Sequence, residues 1–330
     1  MIAGPCAAES EAQVLATAKA LLPLRPIFRA GLWKPRSSPS SFQGVGEQGL
    51  PWLQRVQHDY GLDVATEVAT PEQVRLCLKA GVNHLWIGAR TAANPIVVQQ
   101  LADTLSQAIR QDGLHLKSVW VKNPMHEDVR LWHGNIERFE KSLQDADVQV
   151  MAVHRGCDHH PCWDMAHNLH TMMPYMPMLL DASHMAGIAE RVPQLLSKGV
   201  ELHYDGCMVE VHLNPKQALS DAQQQLTPEQ LTDYLAQLSE QDGDTPLTLR
   251  WFRAMMDEVD DNLWQTIQQR MTISRRIGLY KRQEGIPVVQ PTRFQTIRDA
   301  RIKWAEQHHI NPQTVADIYE ALHKESIRHQ

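Results

Sequence analysis

Residues 63–88 read DVATEVATPEQVRLCLKAGVNHLWIG, in which two short apolar runs flank a helix-like segment. The same rhythm continues from the start of the chain to about residue 240, and it is typical of parallel strands joined by crossover helices. The candidate strands number eight: Ile2–Ala7, Pro26–Ala30, Asp63–Glu67, His84–Gly88, Leu116–Val121, Val148–Val153, Met178–Leu180 and Met208–Val211. Eight such units in under about 250 residues favour a closed (β/α)8 barrel, the TIM barrel, over an open doubly wound sheet.

The composition limits the classes of protein that fit. A chain of 330 residues with 43% hydrophobic residues is long enough for a barrel and a small second domain. Five cysteines without secretory context predict reduced thiols and a cytoplasmic location. The sequence has neither a long apolar stretch nor a basic segment leading into an apolar one, so we expect no transmembrane helix and no signal peptide. A net charge of -6 argues against nucleic acid as a partner and favours small-molecule substrates.

The composition changes after the last candidate strand. We predict a barrel domain over 1–238, a polar linker over 239–248 and a small all-α domain over 249–330. Apolar residues spaced mostly by three or four, such as Val259, Leu263 and Ile267, predict one long helix that ends near Gly285. Two further helices are expected at 292–308 and from Pro312 to the C-terminus, the second capped by Asn311.

Cationic side chains recur where the candidate strands end. In a (β/α)8 barrel these carboxyl ends meet at one face, which holds the active site. The cations in such positions are Arg29, Lys34, Arg36, Arg90, Lys122 and Arg155. Taken singly, each would be interpreted as a solvated surface charge. Together they indicate an anionic ligand with more than one phosphate or carboxylate, because unpaired buried charges are very costly.

A second set at the same strand ends has the chemistry of metal ligands. It consists of Cys6, His184, Glu210 and Asp221. A thiolate, an imidazole and two carboxylates suit one borderline divalent ion such as Mn, Fe, Co or Zn. An open coordination position on that ion could polarise a substrate carbonyl. A lone buried cysteine is more often a small hydrophobic residue, so the prediction depends on the four residues sharing one face.

Several motifs resemble one family of barrel enzymes. Across residues 2–225, in order, five motifs are similar to 3-deoxy-D-arabino-heptulosonate 7-phosphate (DAHP) synthases of type I-beta: Gly4-Pro5-Cys6, Lys34-Pro35-Arg36-Ser37-Ser38-Pro39, Ile87-Gly88-Ala89-Arg90, Asp181-Ala182-Ser183-His184, and Glu210-Val211-His212 with Leu219-Ser220-Asp221. The resemblance implies condensation of phosphoenolpyruvate with erythrose 4-phosphate, the first step of the shikimate pathway of aromatic amino acid biosynthesis. One departure is Ser37, which stands where the family usually has Thr and keeps the hydroxyl.

The resemblance also implies roles for single residues. The metal would be bound by Cys6, His184, Glu210 and Asp221. Phosphoenolpyruvate would be bound by Arg29, Lys34, Ala89, Arg90, Lys122 and Arg155. Erythrose 4-phosphate would be bound by Pro35, Arg36 and Ser37. Lys34 would give a proton to the new alkoxide, and Glu67 would help to orient the attacking water.

Polar residues also share faces of the predicted C-terminal helices. Arg270 and Lys281 are 11 residues apart, about three helical turns, so both point to one side. Arg253 lies roughly 100 degrees away on the same helical wheel, so it could serve the pocket of a partner subunit. Ser326 and Gln330 are four residues apart on the last helix and share a face.

This pattern resembles the all-helical (AroQ-type) chorismate mutases, whose subunits form intertwined homodimers. The resemblance implies a chorismate site made of Arg253 from the partner subunit with Arg270, Lys281, Gln290, Arg293, Ser326 and Gln330. Lys281 and Gln330 would meet the ether oxygen. Gln290 and Phe294 stand where many relatives carry acidic residues. Such a rearrangement needs no acid, base or nucleophile, only a pocket that fits its transition state.

Two alternatives and one regulatory expectation accompany this interpretation. The barrel could belong to the sibling synthase that makes 3-deoxy-D-manno-octulosonate 8-phosphate, although that enzyme usually has Lys-Ala-Asn where this chain has Lys34-Pro35-Arg36. The helical domain could be a dimerisation or regulatory module without catalysis, because helix periodicity alone would look the same. The sequence begins at its first barrel strand, so we expect prephenate to inhibit the synthase through the helical domain.

Overall fold

The eight predicted strands form a closed parallel barrel in which neighbours along the chain are neighbours in the sheet. The computed structural model describes residues 1–35, 38, 40–158, 160–238 and 245–330. The strands are β1 Ile2–Gly4, β2 Ile27–Arg29, β3 Val64–Val68, β4 His84–Ile87, β5 Ser118–Lys122, β6 Gln149–His154, β7 Met178–Asp181 and β8 Gly206–Glu210. The predicted barrel is therefore confirmed, with strand ends displaced by about three residues or fewer. The largest displacement follows Gly4, because Pro5 has no backbone N–H to continue the ladder.

Helices surround the barrel and connect its strands. They are α1 Glu11–Leu21, α2 Leu50–Tyr60, α3 Pro71–Lys79, α4 Ala89–Ala92, α5 Pro95–Asp112, α6 Val129–Leu143, α7 Trp163–Met172, α8 Ala182–Ala186, α9 Val192–Glu201 and α10 Pro228–Gln237. Several begin with a side-chain cap followed by proline, as at Thr70-Pro71 and Asn94-Pro95. Their apolar faces bury the main core between helices and strands.

A second, smaller apolar cluster comes from inward-facing residues of the strands themselves. Trp86 and Trp120 form its bulk, with stacked rings 6.5 Å apart, and Ala65, Val153 and Met208 pack with them. Every member is fully or almost fully buried. The barrel interior is therefore a filled core, and the polar strand-end residues that follow these positions lie on top of it.

The chain divides into two compact units, Met1–Met255 and Met256–Gln330. The last three helices are α11 Leu247–Glu284, α12 Pro291–Gln307 and α13 Pro312–Arg328, as the sequence predicted, and Asn311 caps α13. Helix α11 begins two residues before the expected 249, because the Pro246 carbonyl accepts from the backbone N–H of Leu249 and Arg250. The preceding part of the predicted linker, 239–244, lies outside the described residues. Within the described chain, no helix combines the length and apolarity needed to cross a membrane.

The first turns of α11 belong to the barrel unit. Trp251 is 2% exposed and packs against the rings of Trp163 and Tyr204, with centroids 6.1 and 5.9 Å away. Arg250 donates to the carbonyl of Glu201 at 3.2 Å. The compact unit Met1–Met255 thus includes the first turns of α11, because the large aromatic ring of Trp251 buries its area there.

Candidate active sites

The four predicted metal ligands come together above the barrel core. Ligand atoms of Cys6, Glu210 and Asp221 all lie within 4.8 Å of one another. The Cys6 thiol donates to Asp221 Oδ2 at 2.9 Å, and His184 Nε2 lies 3.7 Å from Glu210 Oε1. The four residues follow β1, β7 and β8 or lie in the loop after β8, so convergence of strand ends brings them together.

Two glutamines that the sequence analysis did not single out hold this cluster in place. Gln225 accepts from the Cys6 backbone N–H at 3.1 Å, and Gln224 donates to Glu210 Oε2 at 2.7 Å. Both side chains are buried. They lie three and four residues after Asp221, whose left-handed backbone (φ 48°) turns the chain after β8. A pair of amides in a loop carries no periodic signal, so only the fold reveals their function.

Burial and neighbouring charge set the protonation of the cluster. Burial, together with the carboxylates of Glu210 and Asp221, raises the pKa of Cys6 to about 12. Burial alone would also raise the pKa of Glu210, but His184 and Arg29 outweigh it and lower that pKa below its usual value. Cys6 is therefore a neutral thiol beside an ionised, fully buried carboxylate.

This donor set fits a divalent metal. Arg29 Nη2 lies 3.2 Å from Glu210 Oε1, yet that oxygen accepts no hydrogen bond from the residues that the structure describes. A buried carboxylate oxygen without a hydrogen bond is costly and needs a further partner. A thiol, an imidazole and two carboxylates are the ligands that borderline ions such as Mn, Fe, Co and Zn accept. Binding would displace the proton of Cys6.

A polar cavity adjoins the cluster and includes two of its members. The lining residues are Lys34, Pro35, Glu67, Gly88, Ala89, Arg90, Lys122, Met125, Arg155, His184 and Asp221. Four of these are cations that the sequence analysis assigned to phosphoenolpyruvate, and Glu67 was assigned to the attacking water. The structure therefore places an anion-binding wall and candidate metal ligands around one space.

Carboxylates and carbonyls fix the direction of two of the cations. Lys34 Nζ donates to the Cys6 carbonyl at 3.0 Å, and Lys122 Nζ donates to Asp181 Oδ2 at 2.5 Å. Asp181 also lies 3.0 Å from His184 Nδ1. Although burial alone would raise the pKa of Asp181, His184 and Lys122 hold it well below its usual value. Asp181 thus orients a metal ligand and a substrate cation together, a function that the sequence analysis had not given it.

Arg29 differs from the other predicted phosphoenolpyruvate ligands. Its guanidinium is fully buried, donates to the Cys6 carbonyl at 3.2 Å and lies 4.7 Å over the Trp86 ring. It is absent from the cavity lining among the described residues, and its main charge partner is Glu210. Two of the predicted erythrose 4-phosphate residues, Arg36 and Ser37, lie outside the described residues.

Glycine is required beside Glu67. A Cβ atom on Gly88 would lie 2.0 Å from Glu67 Oε1, which is far inside van der Waals contact. The carboxylate could be kept there only if position 88 carries no side chain. The predicted strand-end motif at 87–90 therefore gives Glu67 its space as well as supplying Arg90.

In the second unit, two cations of α11 bond to residues of α13, of the chain end and of the loop before α12. Arg270 Nη1 donates to the Leu322 carbonyl at 2.8 Å and to the Ser326 hydroxyl. Lys281 Nζ donates to the Val288 carbonyl at 2.7 Å and to Gln330 Oε1 at 3.1 Å. Four residues of the predicted chorismate site are thus together. The other three, Arg253, Gln290 and Arg293, are exposed, and Arg253 belongs to the first unit.

These features define the class of protein: a (β/α)8 barrel with candidate metal ligands beside a cavity lined by four cations, and a helical unit with two cations bonded between its helices. Comparison with known families identifies both parts. Residues 1–245 match the family model described as DAHP synthetase I family, and residues 252–330 match the one described as chorismate mutase type II. The chain belongs to the DAHP synthetase I family, with a chorismate mutase type II segment at its C-terminal end.

Known relatives match both parts at moderate identity. A phospho-2-dehydro-3-deoxyheptonate aldolase from Thermotoga maritima is 29% identical over 235 residues, which are 68% of this chain and 64% of that protein. The chain thus spans slightly less than two thirds of its length. The crystal structure of a DAHP synthase from the same organism superimposes with a TM-score of 0.61 at 25% identity, covering 72% of this chain and 67% of that one.

Two further relatives bear on specificity. A 2-dehydro-3-deoxyphosphooctonate aldolase from Wolinella succinogenes is 25% identical over 260 residues, covering 72% of this chain and 97% of that protein. A 4-amino-4-deoxychorismate mutase from Streptomyces venezuelae is 29% identical over 80 residues, covering 24% of this chain and 78% of that protein.

The metal assignment can be tested by binding. Cys6→Ala removes one ligand, so we expect its affinity for Mn²⁺ or Zn²⁺ to fall by about 100-fold or more, measured by equilibrium dialysis. Cys77→Ala is the matched control, because that thiol is equally buried but lies in the apolar core. It should keep the affinity within a few-fold. Equal affinities in the two variants would contradict Cys6 as a ligand.

Proposed function

We propose that the barrel condenses phosphoenolpyruvate with erythrose 4-phosphate to give DAHP and phosphate, and that it uses one divalent metal ion. The observation that carries the proposal is the shared cavity, in which Lys34, Arg90, Lys122 and Arg155 face the same space as His184 and Asp221. Both substrates are phosphorylated and one also carries a carboxylate, so several cations are needed. The family match supports the same reaction.

The side chains around the cavity account for the steps of the reaction. A bound divalent ion supplies a Lewis acid that polarises the aldehyde carbonyl. The cations hold the phosphoenolpyruvate so that its methylene carbon faces that carbonyl. As the carbon–carbon bond forms, Lys34, held by the Cys6 carbonyl, gives a proton to the new alkoxide. Water oriented by Glu67 then adds at the former enol carbon, and the bond to phosphate breaks.

The sibling octulosonate synthase is the main rival, because several relatives, including the one from Wolinella succinogenes, carry that name. Lys34-Pro35-Arg36 favours DAHP synthesis, because the sibling usually has Lys-Ala-Asn at this point, and a fused mutase segment also favours the aromatic pathway.

The five cysteines are free thiols, which supports the expected cytoplasmic location.

Substrate choice separates the two synthases. We expect purified protein to consume phosphoenolpyruvate at least about tenfold faster with erythrose 4-phosphate than with arabinose 5-phosphate, followed by loss of its ultraviolet absorbance. A chelator should abolish the rate, and added Mn²⁺ should restore it. Faster turnover of the five-carbon sugar would favour the sibling, and a full rate in chelator would contradict the metal.

We also propose that the helical unit converts chorismate to prephenate. The pocket that supports this contains Arg270 and Lys281, whose partners in the described residues are neutral acceptors. Chorismate is a dicarboxylate, so two cations whose charge is not neutralised can bind it and its transition state. Gly278 lets the C-terminal residue Gln330 lie against α11. A Cβ on Gly278 would lie 2.6 Å from Gln330 Cα and would push that residue away.

The proposed mutase is a homodimer. Large apolar side chains of α11 are exposed at helical spacing, including Met256 at 62%, Val259 at 61% and Leu263 at 50%. A stripe of this kind is typical of a helix that buries one face against a partner. Arg253 is exposed on the same helix, and a second chain would bring it to the pocket that contains Arg270.

Mixing inactive subunits tests both the dimer and the mutase. Arg253→Ala and Arg270→Ala should each lower the mutase rate about 100-fold or more, because each removes a charged contact to the transition state. After subunit exchange, a mixed dimer has one pocket with both arginines intact, so prephenate formation should recover to about a quarter of the wild-type rate if subunits mix randomly. Absence of recovery, with exchange verified by mass spectrometry, would contradict a shared site.

Prephenate, the product of the helical unit, is the proposed inhibitor of the synthase. An effector shifts a conformational equilibrium only through different affinities for two states, and the mutase pocket already fits this molecule. We expect prephenate to lower the wild-type synthase rate and Arg270→Ala to lose that inhibition while keeping its uninhibited rate. Arg276→Ala, an exposed cation of the same helix, is the control and should stay inhibited. Equal inhibition of all three proteins would place the inhibitor elsewhere.

A further inference from the structure

An imidazole lies beside the mutase pocket without an assigned function. His323 is on α13, and its ring stacks on Phe294 of α12 with centroids 4.1 Å apart and planes 25° apart. Phe294 in turn stacks on Tyr319 of α13, one turn before the histidine, at 5.6 Å. Aromatic contact therefore fixes the position of the imidazole, and the ring nitrogens are left for other partners.

His323 points to the same side as the known pocket residues of α13. It precedes Ser326 by three residues, a spacing that shares one helical face, and Gln330 follows just beyond the end of α13. Ser326 bonds Arg270 and Gln330 bonds Lys281, so the imidazole lies on the face that carries both cations. Among the described residues, neither ring nitrogen of His323 has a hydrogen-bond partner, although the side chain is only partly exposed.

The charges around the ring keep it neutral. Burial lowers the pKa of His323 below its usual value, and the nearby Arg270 and Lys281 lower it further. Arg270 and Lys281 are the charged groups of α11 that lower the pKa of His323. The residue of α12 that contacts the imidazole ring is the uncharged Phe294. A neutral imidazole offers one N–H donor and one acceptor nitrogen, so it can bond a hydroxyl in either direction.

We propose that His323 binds the ring hydroxyl of chorismate and selects for that group. The inference rests on the proposed mutase function. Chorismate carries two carboxylates, an ether oxygen and one hydroxyl. The cations would account for the charged groups, and Lys281 with Gln330 for the ether. Gln290, the other amide of the predicted site, is exposed, so the hydroxyl has room for a further partner. Phe294 has no hydrogen-bonding group, and its contact with His323 places the imidazole where a polar partner is needed.

The same geometry selects against an ammonium group at that ring position. A neutral imidazole beside Arg270 and Lys281 has no negative charge to balance a third cation. An analogue of chorismate in which an amino group replaces the hydroxyl should therefore react more slowly by about tenfold or more. Replacement of His323 by glutamate supplies a negative charge and should move the preference towards the amino analogue.

The experiment measures the loss of each substrate, chorismate or its amino analogue, with the 330-residue chain. His323→Ala should lower kcat/KM for chorismate about tenfold or more, the effect of losing one hydrogen bond in a site with few polar contacts. His323→Gln, which keeps a donor and an acceptor, should recover part of that loss. Lys324→Ala is the control, because that side chain is 69% exposed and should stay within about twofold of wild type.

The preference ratio separates a substrate contact from a structural role. If His323 only supports the fold, His323→Ala should slow both substrates equally and leave the ratio of chorismate to its amino analogue unchanged, which would overturn the inference. An unchanged rate with chorismate would also overturn it. A change in the ratio for His323→Ala and its reversal in His323→Glu, with helix content preserved in circular dichroism, would support it. If the wild type has no mutase activity, the proposed function fails first, and this inference falls with it.

Discussion

Closure of the barrel between β1 and β8 is the constraint on which the first site depends. Their parallel pairing sets Gly4 opposite Glu210, and the Val211 backbone N–H donates to the Gly4 carbonyl at 2.9 Å. On the other side of β1, Gly4 has a φ of 150°, and a Cβ there would lie 2.1 Å from the carbonyl oxygen of Arg29 on β2, so only glycine allows β1 to approach β2 this closely. Two residues later, Cys6 reaches the end of β8 and meets the carboxylates that the other side of the closed sheet provides.

Closure at this point also concentrates charge in a buried place, which the surrounding residues must balance. Glu210 is ionised because His184 and Arg29 lie beside it, and Asp181 is ionised because it contacts His184 and Lys122. Each pair is held by further hydrogen bonds, as buried ion pairs require. The site is therefore an electrostatic network, in which removal of one partner would leave its neighbour buried and unpaired.

The sequence predicted most of the fold and the composition of the first site because both follow from periodic signals. Alternating apolar runs identify strands, and in a barrel the residues after each strand converge, so Cys6, His184 and Glu210 could be grouped without coordinates. The sequence could not predict that Arg29 is buried against Glu210 or that the Gln224 amide donates to Glu210. The first depends on the register of the strands and the second on the direction of the loop after β8. Trp251 likewise has the pattern of a helical residue, and only packing assigns it to the barrel unit.

The two candidate sites balance their cations in opposite ways, and the difference fits the substrates proposed for them. In the barrel, Arg29 and Lys122 each have a carboxylate partner, so part of their charge is neutralised before any ligand arrives. In the helical unit, Arg270 and Lys281 bond carbonyl, hydroxyl and amide oxygens, and the described residues give them no ion pair. Their attraction for a dicarboxylate is therefore undiminished. His323, whose pKa is lowered by burial and by these two cations, adds no negative charge beside them.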